Sequence, residues 1–189
     1  MAEPLGPLPA DCWQQIFAND RPVAVEIGPG RGEFLLASAR GDPERNFFAI
    51  EHSMSRTHEV VERLARAGVA NARVIAGDAS CLIELFPPAS VAAFHVLFPD
   101  PWWKRRHHKR RLMTPAFVAT LRRALRDGGI IEVMTDVAEY FGLAVDALGS
   151  DRGLQPLADV APRALQTSFA RKAANRGATI YRTIYERIS

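Results

Sequence analysis

At 189 residues, with 48% hydrophobic and 24% charged side chains, the chain has the composition of one ordinary globular domain and is too short for two. No apolar run approaches the ~20 residues a membrane helix needs, and the proline-rich start "MAEPLGPLPADCW" has no apolar core, so neither a span nor a secretory signal is expected. The formal net charge is only +3, but the pI is about 9.2 and the cations cluster, which points to one face built for a polyanion.

One domain over residues 1–189 is expected, opening with a helix inside residues 1–20. Apolar runs then alternate with helical patterns, the signature of a mostly parallel sheet with helices on both faces. Strands are predicted at "VAVEIG" (23–28), "FFAIE" (47–51), "ARVIAGD" (72–78), "AAFHVLF" (92–98) and "GIIEVMTD" (129–136). A weaker pair falls at 153–159 and 178–187, for seven in all. Helices are predicted at 9–18, 32–40, 54–67, 79–85, 114–126 and 137–148. "RDGG" stops the fifth of these, and Asp136 suits the N-cap of the sixth. Cys12 and Cys81 have no metal-ligand spacing and read as reduced thiols of a cytoplasmic protein.

"VEIGPGRGEF" joins the first strand to a helix through Gly28, Gly30 and Gly32, a turn in which a ligand can approach bare backbone near a helix start. It is not the dinucleotide fingerprint G-x-G-x-x-G, because Glu33 occupies the last glycine position and would repel a pyrophosphate. Three acids, Glu26, Glu51 and Asp78, close the first three strands, along the edge where open α/β sheets bind ligands. Taken singly, each also suits a helix cap or a solvated surface acid. Together they suit a ligand with a ribose, an adenine and a cationic head, which is S-adenosylmethionine.

The fourth strand runs into "FPDPWWKRRHHKRR", residues 98–111. Pro99 and Pro101 fix two φ angles and aim Asp100 at the same edge. Trp102 and Trp103 offer flat surfaces, either as a lid over the strand ends or for stacking on a base. Residues 104–111 then carry six permanent cations in eight positions, a density that suits phosphates. His95, His107 and His108 form no metal-ligand set with neighbouring acids, so no metal is expected.

The run "FPDPWWKRRHHKRR", followed by "FVATLRRALRDGGIIEVMTDVAEY", resembles the bacterial tRNA (guanine-N7-)-methyltransferase family, with its F-P-D-P-W-x-K-x-R-H-x-K-R-R hallmark and its T-D near the end of strand five. The likeness covers roughly residues 23–141 and includes "VEIGPGRGEF", "FFAIE" and "NARVIAGDA". It implies a Rossmann-like class I methyltransferase fold and methyl transfer from S-adenosylmethionine to a tRNA guanine, in the family guanine-46 of the variable loop. By position it implies donor contacts from Glu26, Gly28, Gly30, Glu51, Asp78, Ala79 and Asp100, with Asp100 also the catalytic acid residue. Lys104, Asp136 and Thr167, the last in a substrate loop over residues 160–177, would hold the guanosine. Arg106, His107, His108, Lys109, Arg110 and Arg111 would touch the tRNA. The enzyme would be a monomer or homodimer. The chain departs from the family's T-x-x-E in that loop: Ala170 stands where the glutamate would be, removing an acceptor for the guanine N1–H and amino group. Three other readings are weighed. A non-catalytic RNA-binding protein on a methyltransferase scaffold is favoured by Ala170 and opposed by the acidic ring. A nicotinamide-dependent oxidoreductase is opposed by the displaced glycine. A methyltransferase with a different acceptor, DNA or protein, is separated by the acceptor labelled.

Overall fold

The computed structural model describes residues 6–158 and 168–189, without the side chains of residues 105, 109 and 169. Seven strands form one sheet in the order β3-β2-β1-β4-β5-β7-β6. They are β1 (Val23–Ile27), β2 (Asn46–Glu51), β3 (Ala72–Ala76), β4 (Val91–Leu97), β5 (Leu125–Thr135), β6 (Leu154–Pro156) and β7 (Tyr181–Arg187). The first five pair in parallel, and β7 inserts antiparallel between β5 and β6. The order reverses between β1 and β4, so the crossovers diverge there and leave a crevice beyond the strand ends.

β1, β2 and β4 are buried along their whole length, which explains their near-continuous apolar sequences. Alternate side chains feed two different cores. Val25, Ile27, Phe94, Val96, Ile131 and Val133 face helices α1 (Cys12–Phe17), α5 (Pro115–Ala124) and α6 (Ala138–Gly149). The smaller Ala24, Ala49 and Ala93 face α2 (Glu33–Gly41) and α3 (Met54–Arg66), where Leu35, Val60 and Leu64 fill the space. α2 and α3 approach so closely that a Cβ on Gly32 would meet a Val60 methyl at 2.8 Å, and Gly32 also has φ +68°. Glycine is required at that position on both counts. Helix α4 (Ala79–Leu82) passes into a short 3-10 turn, and α7 (Ser168–Asn175) precedes the last strand.

Two expectations need correction. The fifth helix ends at Ala124 rather than at 126, and β5 begins directly at Leu125. "RDGG" lies inside the strand as a bulge, since the register jumps from Val91–Leu125 to Ala93–Ile130. Arginines enforce this: Arg123 donates to the carbonyls of Ile83, Glu84 and Phe86, and Arg187 donates to those of Arg122 and Leu125. Asp136 does not cap α6. The free Val137 N–H donates to the Thr135 hydroxyl at 3.2 Å, while the Asp136 carboxylate is engaged by Arg176 at 3.4 Å. Among the described residues no helix is long and apolar enough to cross a membrane.

Across the sheet centre runs a buried polar chain. His95 Nδ1 donates to Glu132 at 2.7 Å, and Arg182 Nε donates to its other oxygen, also at 2.7 Å. Glu132 is 1% exposed and His95 5%. Burial pushes the Glu132 carboxyl up, but the hydrogen bonds and charges of His95 and Arg182 outweigh it and bring it down to about 2. A group whose pKa falls on folding stabilises the fold above its unfolded value of 4.5 and loses that contribution as pH drops toward 2. Glu132→Gln, which leaves two donors facing a neutral amide, is expected to cost about 3–5 kcal/mol at neutral pH. Urea unfolding should show the gap between wild type and variant shrinking between pH 4.5 and pH 2.

Candidate active site

The carboxyl ends of β1, β2 and β3 meet around the glycine loop. Glu51, last in β2 and 5% exposed, accepts from the Gly30 N–H at 3.1 Å through one oxygen and from the Ser53 N–H at 2.9 Å through the other. A carboxylate has about four acceptor sites, so two remain beyond these bonds. Asp78 caps α4: its Oδ1 accepts from the Ser80 N–H at 2.8 Å and the Ser80 hydroxyl at 2.6 Å. The Ser80 hydroxyl bond is the main reason its carboxyl lies below the usual range, against a desolvation penalty. Gly28 has φ +71° and nothing within 4 Å of the position a Cβ would take, so its bare backbone borders open space.

One crevice of about 810 Å³ is lined by Gly28, Glu51, Asp78 and Ala79 together with Trp102 and Arg110. Glu26 lies one residue inside β1, 5% exposed, and lines a much smaller hollow of 20 Å³ with Gly28, Glu33, Phe98 and Ser168. The first three acids of the sequence reading are therefore neighbours, divided between two hollows that share Gly28.

Asp100 is exposed just beyond β4 and stands outside the walls of both hollows. Its Oδ1 accepts from the Trp102 N–H at 3.0 Å, closing a turn around Pro101. Phe98 at φ 52° and Trp102 at φ 47° flank it in the left-handed region, where bulky residues carry strain of about 1–3 kcal/mol each. Phe98 is fixed by its N–H bond to the Met134 carbonyl at 2.7 Å. Burial pushes the Tyr140 hydroxyl up and the Asp100 charge adds to this, so the carboxylate is within electrostatic reach of that side chain.

The two tryptophans differ in exposure. Trp102 is half-buried, meets His107 edge-on at 5.6 Å, and carries the Arg110 guanidinium 4.9 Å from its ring centre. Trp103 is 67% exposed. The basic run folds as a 3-10 helix, Arg105–Arg110, with Lys104, Arg106 and Arg110 exposed and His107 and His108 half-buried. The side chain of Lys109 lies outside the described residues. Arg111, grouped by sequence with the tRNA contacts, is buried instead. It donates to the Pro101 carbonyl at 3.0 Å and to Glu139 at 2.8 Å, and so pins the turn that carries Asp100.

α7 crosses the remaining side. Glu33 accepts from the Ser168 N–H and from Arg171 at 3.1 Å, while Asp136 pairs with Arg176 at 3.4 Å. Burial raises the Glu33 carboxyl, but the Ser168 and Arg171 contacts carry it below the ordinary value. Ala170 is buried in α7, so the carboxylate that meets this segment comes from α2. Thr167 lies outside the described residues. The partners of Glu33 are 135 and 138 residues away, and no local signal in the sequence could join them.

A family model described as "Putative methyltransferase" matches residues 20–183. The tRNA (guanine-N(7)-)-methyltransferase of Rhodopirellula baltica is 34% identical over 190 residues, covering 93% of this chain and 70% of that protein. Its counterpart in Psychromonas ingrahamii is 37% identical over 183 residues, covering 94% and 75%. Among solved structures, the aminoglycoside resistance methyltransferase NpmB1 superposes with a TM-score of 0.69 at 17% identity, over 96% of this chain and 94% of that one, a likeness of fold. With the family model matched over most of its length and relatives of this identity aligned over more than nine-tenths of it, the chain belongs to the tRNA (guanine-N7-)-methyltransferase family.

Proposed function

We propose that this chain transfers a methyl group from S-adenosylmethionine to N7 of a guanine in tRNA, at position 46 of the variable loop, in the cytoplasm. The observation that supports it most is one crevice lined both by the carboxylates of Glu51 and Asp78 and by the aromatic and cationic side chains of Trp102 and Arg110. The residues fit the donor by charge and shape. Glu51 keeps acceptor sites for ribose hydroxyls, Asp78 and Ala79 line the same crevice, and the exposed backbone of Gly28 leaves room for close approach. Glu26, in the adjoining hollow, suits the donor's ammonium group. When bound, S-adenosylmethionine supplies an electrophilic methyl sulfonium.

Guanine N7 has an in-plane lone pair, so the acceptor needs no deprotonation and the protein's task is alignment. Asp100 is held rigid by two prolines and the Trp102 N–H, and it presents a fixed negative charge where the base becomes positive. Lys104 and Asp136 suit the guanosine. Asp136 accepts from the guanine N1–H and amino group once Arg176 gives way. Arg106 and Arg110 meet phosphates, whereas Arg111 acts by holding the turn.

The test is incubation with labelled donor and unmodified tRNA, then borohydride–aniline cleavage. Cleavage at one guanine is expected, and labelled product without cleavage would point to another atom or acceptor. Absence of heat on titrating the donor would instead favour a non-catalytic RNA-binding protein. Asp100→Ala is expected to lower kcat roughly 10²–10³-fold in a protein that still folds, with a melting temperature lowered by loss of the Trp102 N–H bond; near-normal turnover would remove Asp100 from the reaction. Neutralising Arg106 and Arg110 together should reduce the slope of log K against log salt by about 1–2. Arg111→Gln should leave that slope unchanged and lower thermal stability, as filter binding and melting curves would report.

A further inference from the structure

α7 is tied at both ends to acids on the sheet's rim. At its start, the Ser168 N–H and the Arg171 guanidinium both bind Glu33, the first residue of the helix that follows the glycine loop. Just past its end, Arg176 binds Asp136, the residue after β5. Between the two anchors lies β4, flanked by β1 and β5 and leading into Asp100. The lengths agree: eight helical residues rise about 12 Å, and two strand intervals span about 10 Å. Ala170 and Ala173 are buried, and such small side chains let a helix lie close to its floor, while Arg171, Lys172 and Arg176 face outward. The helix is therefore a strap over the strand ends, with exposed cations on its outer face.

The anchors differ. Glu33 is held by the Ser168 N–H and hydroxyl and by Arg171, and its side chain is 19% exposed, whereas Arg176 reaches Asp136 by one long contact and is 68% exposed. Glu33 is the firm end and Asp136 the end that yields. These contacts of Glu33 run to the strap, although its backbone belongs to the donor-side helix.

We propose that Glu33 is a positioning residue for the RNA substrate, anchoring the α7 strap so that its cations and the catalytic edge meet the nucleic acid in one register. This rests on the methyl-transfer reading. The variants are Glu33→Gln, Glu33→Arg and the charge swap Glu33→Arg with Arg171→Glu. Three quantities are measured: kcat and KM for unmodified tRNA, filter binding of the same tRNA, and calorimetric affinity for S-adenosylhomocysteine. Glu33→Gln is expected to raise the KM and Kd for tRNA about tenfold while S-adenosylhomocysteine affinity stays within twofold. Glu33→Arg should do worse, and the swap, which restores the ion pair but neither the Ser168 contact nor the cation at 171, should recover part of the loss. An unchanged KM and Kd for tRNA in Glu33→Gln would overturn the proposal. So would an equal loss of S-adenosylhomocysteine affinity, or a folded swap variant no better than Glu33→Arg. If wild type binds tRNA but methylates no N7, the functional reading falls, while filter binding still decides the role of Glu33.

Discussion

The buried carboxylate of Glu51 is the constraint on which the site depends. A charge held at 5% exposure persists only when hydrogen bonds replace its water, and Glu51 obtains them from the two backbone segments that must be fixed. Gly30 ties it to the glycine loop after β1, and Ser53 ties it to the start of α3. One side chain thus sets the spacing of two strand ends and still offers acceptor sites to the crevice. The Gly28 N–H bond to the Ile50 carbonyl, at 2.9 Å, extends the same seam through the main chain. An apolar residue of equal size would fill the space but leave the loop's amides without partners.

In the segment after β4 that also lines the crevice, positive charge plays a comparable part. The run after β4 is dense in arginine, yet its members act differently. Arg110 covers the Trp102 ring from outside, and Arg111 turns inward to the Pro101 carbonyl and Glu139. Two positive-φ residues bracket Asp100, and strain of that kind persists only where surrounding bonds over-determine the backbone. Arg111, Met134 and the Asp100–Trp102 bond supply that restraint. A cation that looks like a phosphate contact in the sequence is, by geometry, part of the frame.

The fold was legible because its signals are local. Buried parallel strands give short apolar runs, and glycines with prolines mark the turns between them. Glu26, Glu51 and Asp78 were legible as a group for a related reason, since each lies within two residues of a strand's end and the topology brings strand ends together. What stayed hidden rests on distant partners or on bond competition. Glu33 was read as an obstacle to pyrophosphate, and its attachment to Ser168 and Arg171 has no trace in the flanking sequence. Asp136 was read as a helix cap because its local position allows it, but Arg176 holds its carboxylate and the Thr135 hydroxyl takes the free N–H. "RDGG" was read as a helix stop alone, whereas it also forms the bulge through which β5 enters the sheet. Arg111 differs from Arg110 in nothing that sequence can express.

The antiparallel seventh strand bears on how the chain comes to be folded. β5 pairs with β4 on one side and β7 on the other, and β6 joins the sheet through β7. During synthesis the first five strands can assemble as soon as they emerge, but the outer edge of β5 stays open until residues 181–187 have left the ribosome. Only then does Arg182 reach Glu132, so the last ion pair of the interior forms when the last strand docks. An exposed parallel edge of this kind invites pairing with other nascent chains. Assembly of this protein should therefore be most vulnerable to aggregation late in translation, in the interval between the fifth strand and the seventh.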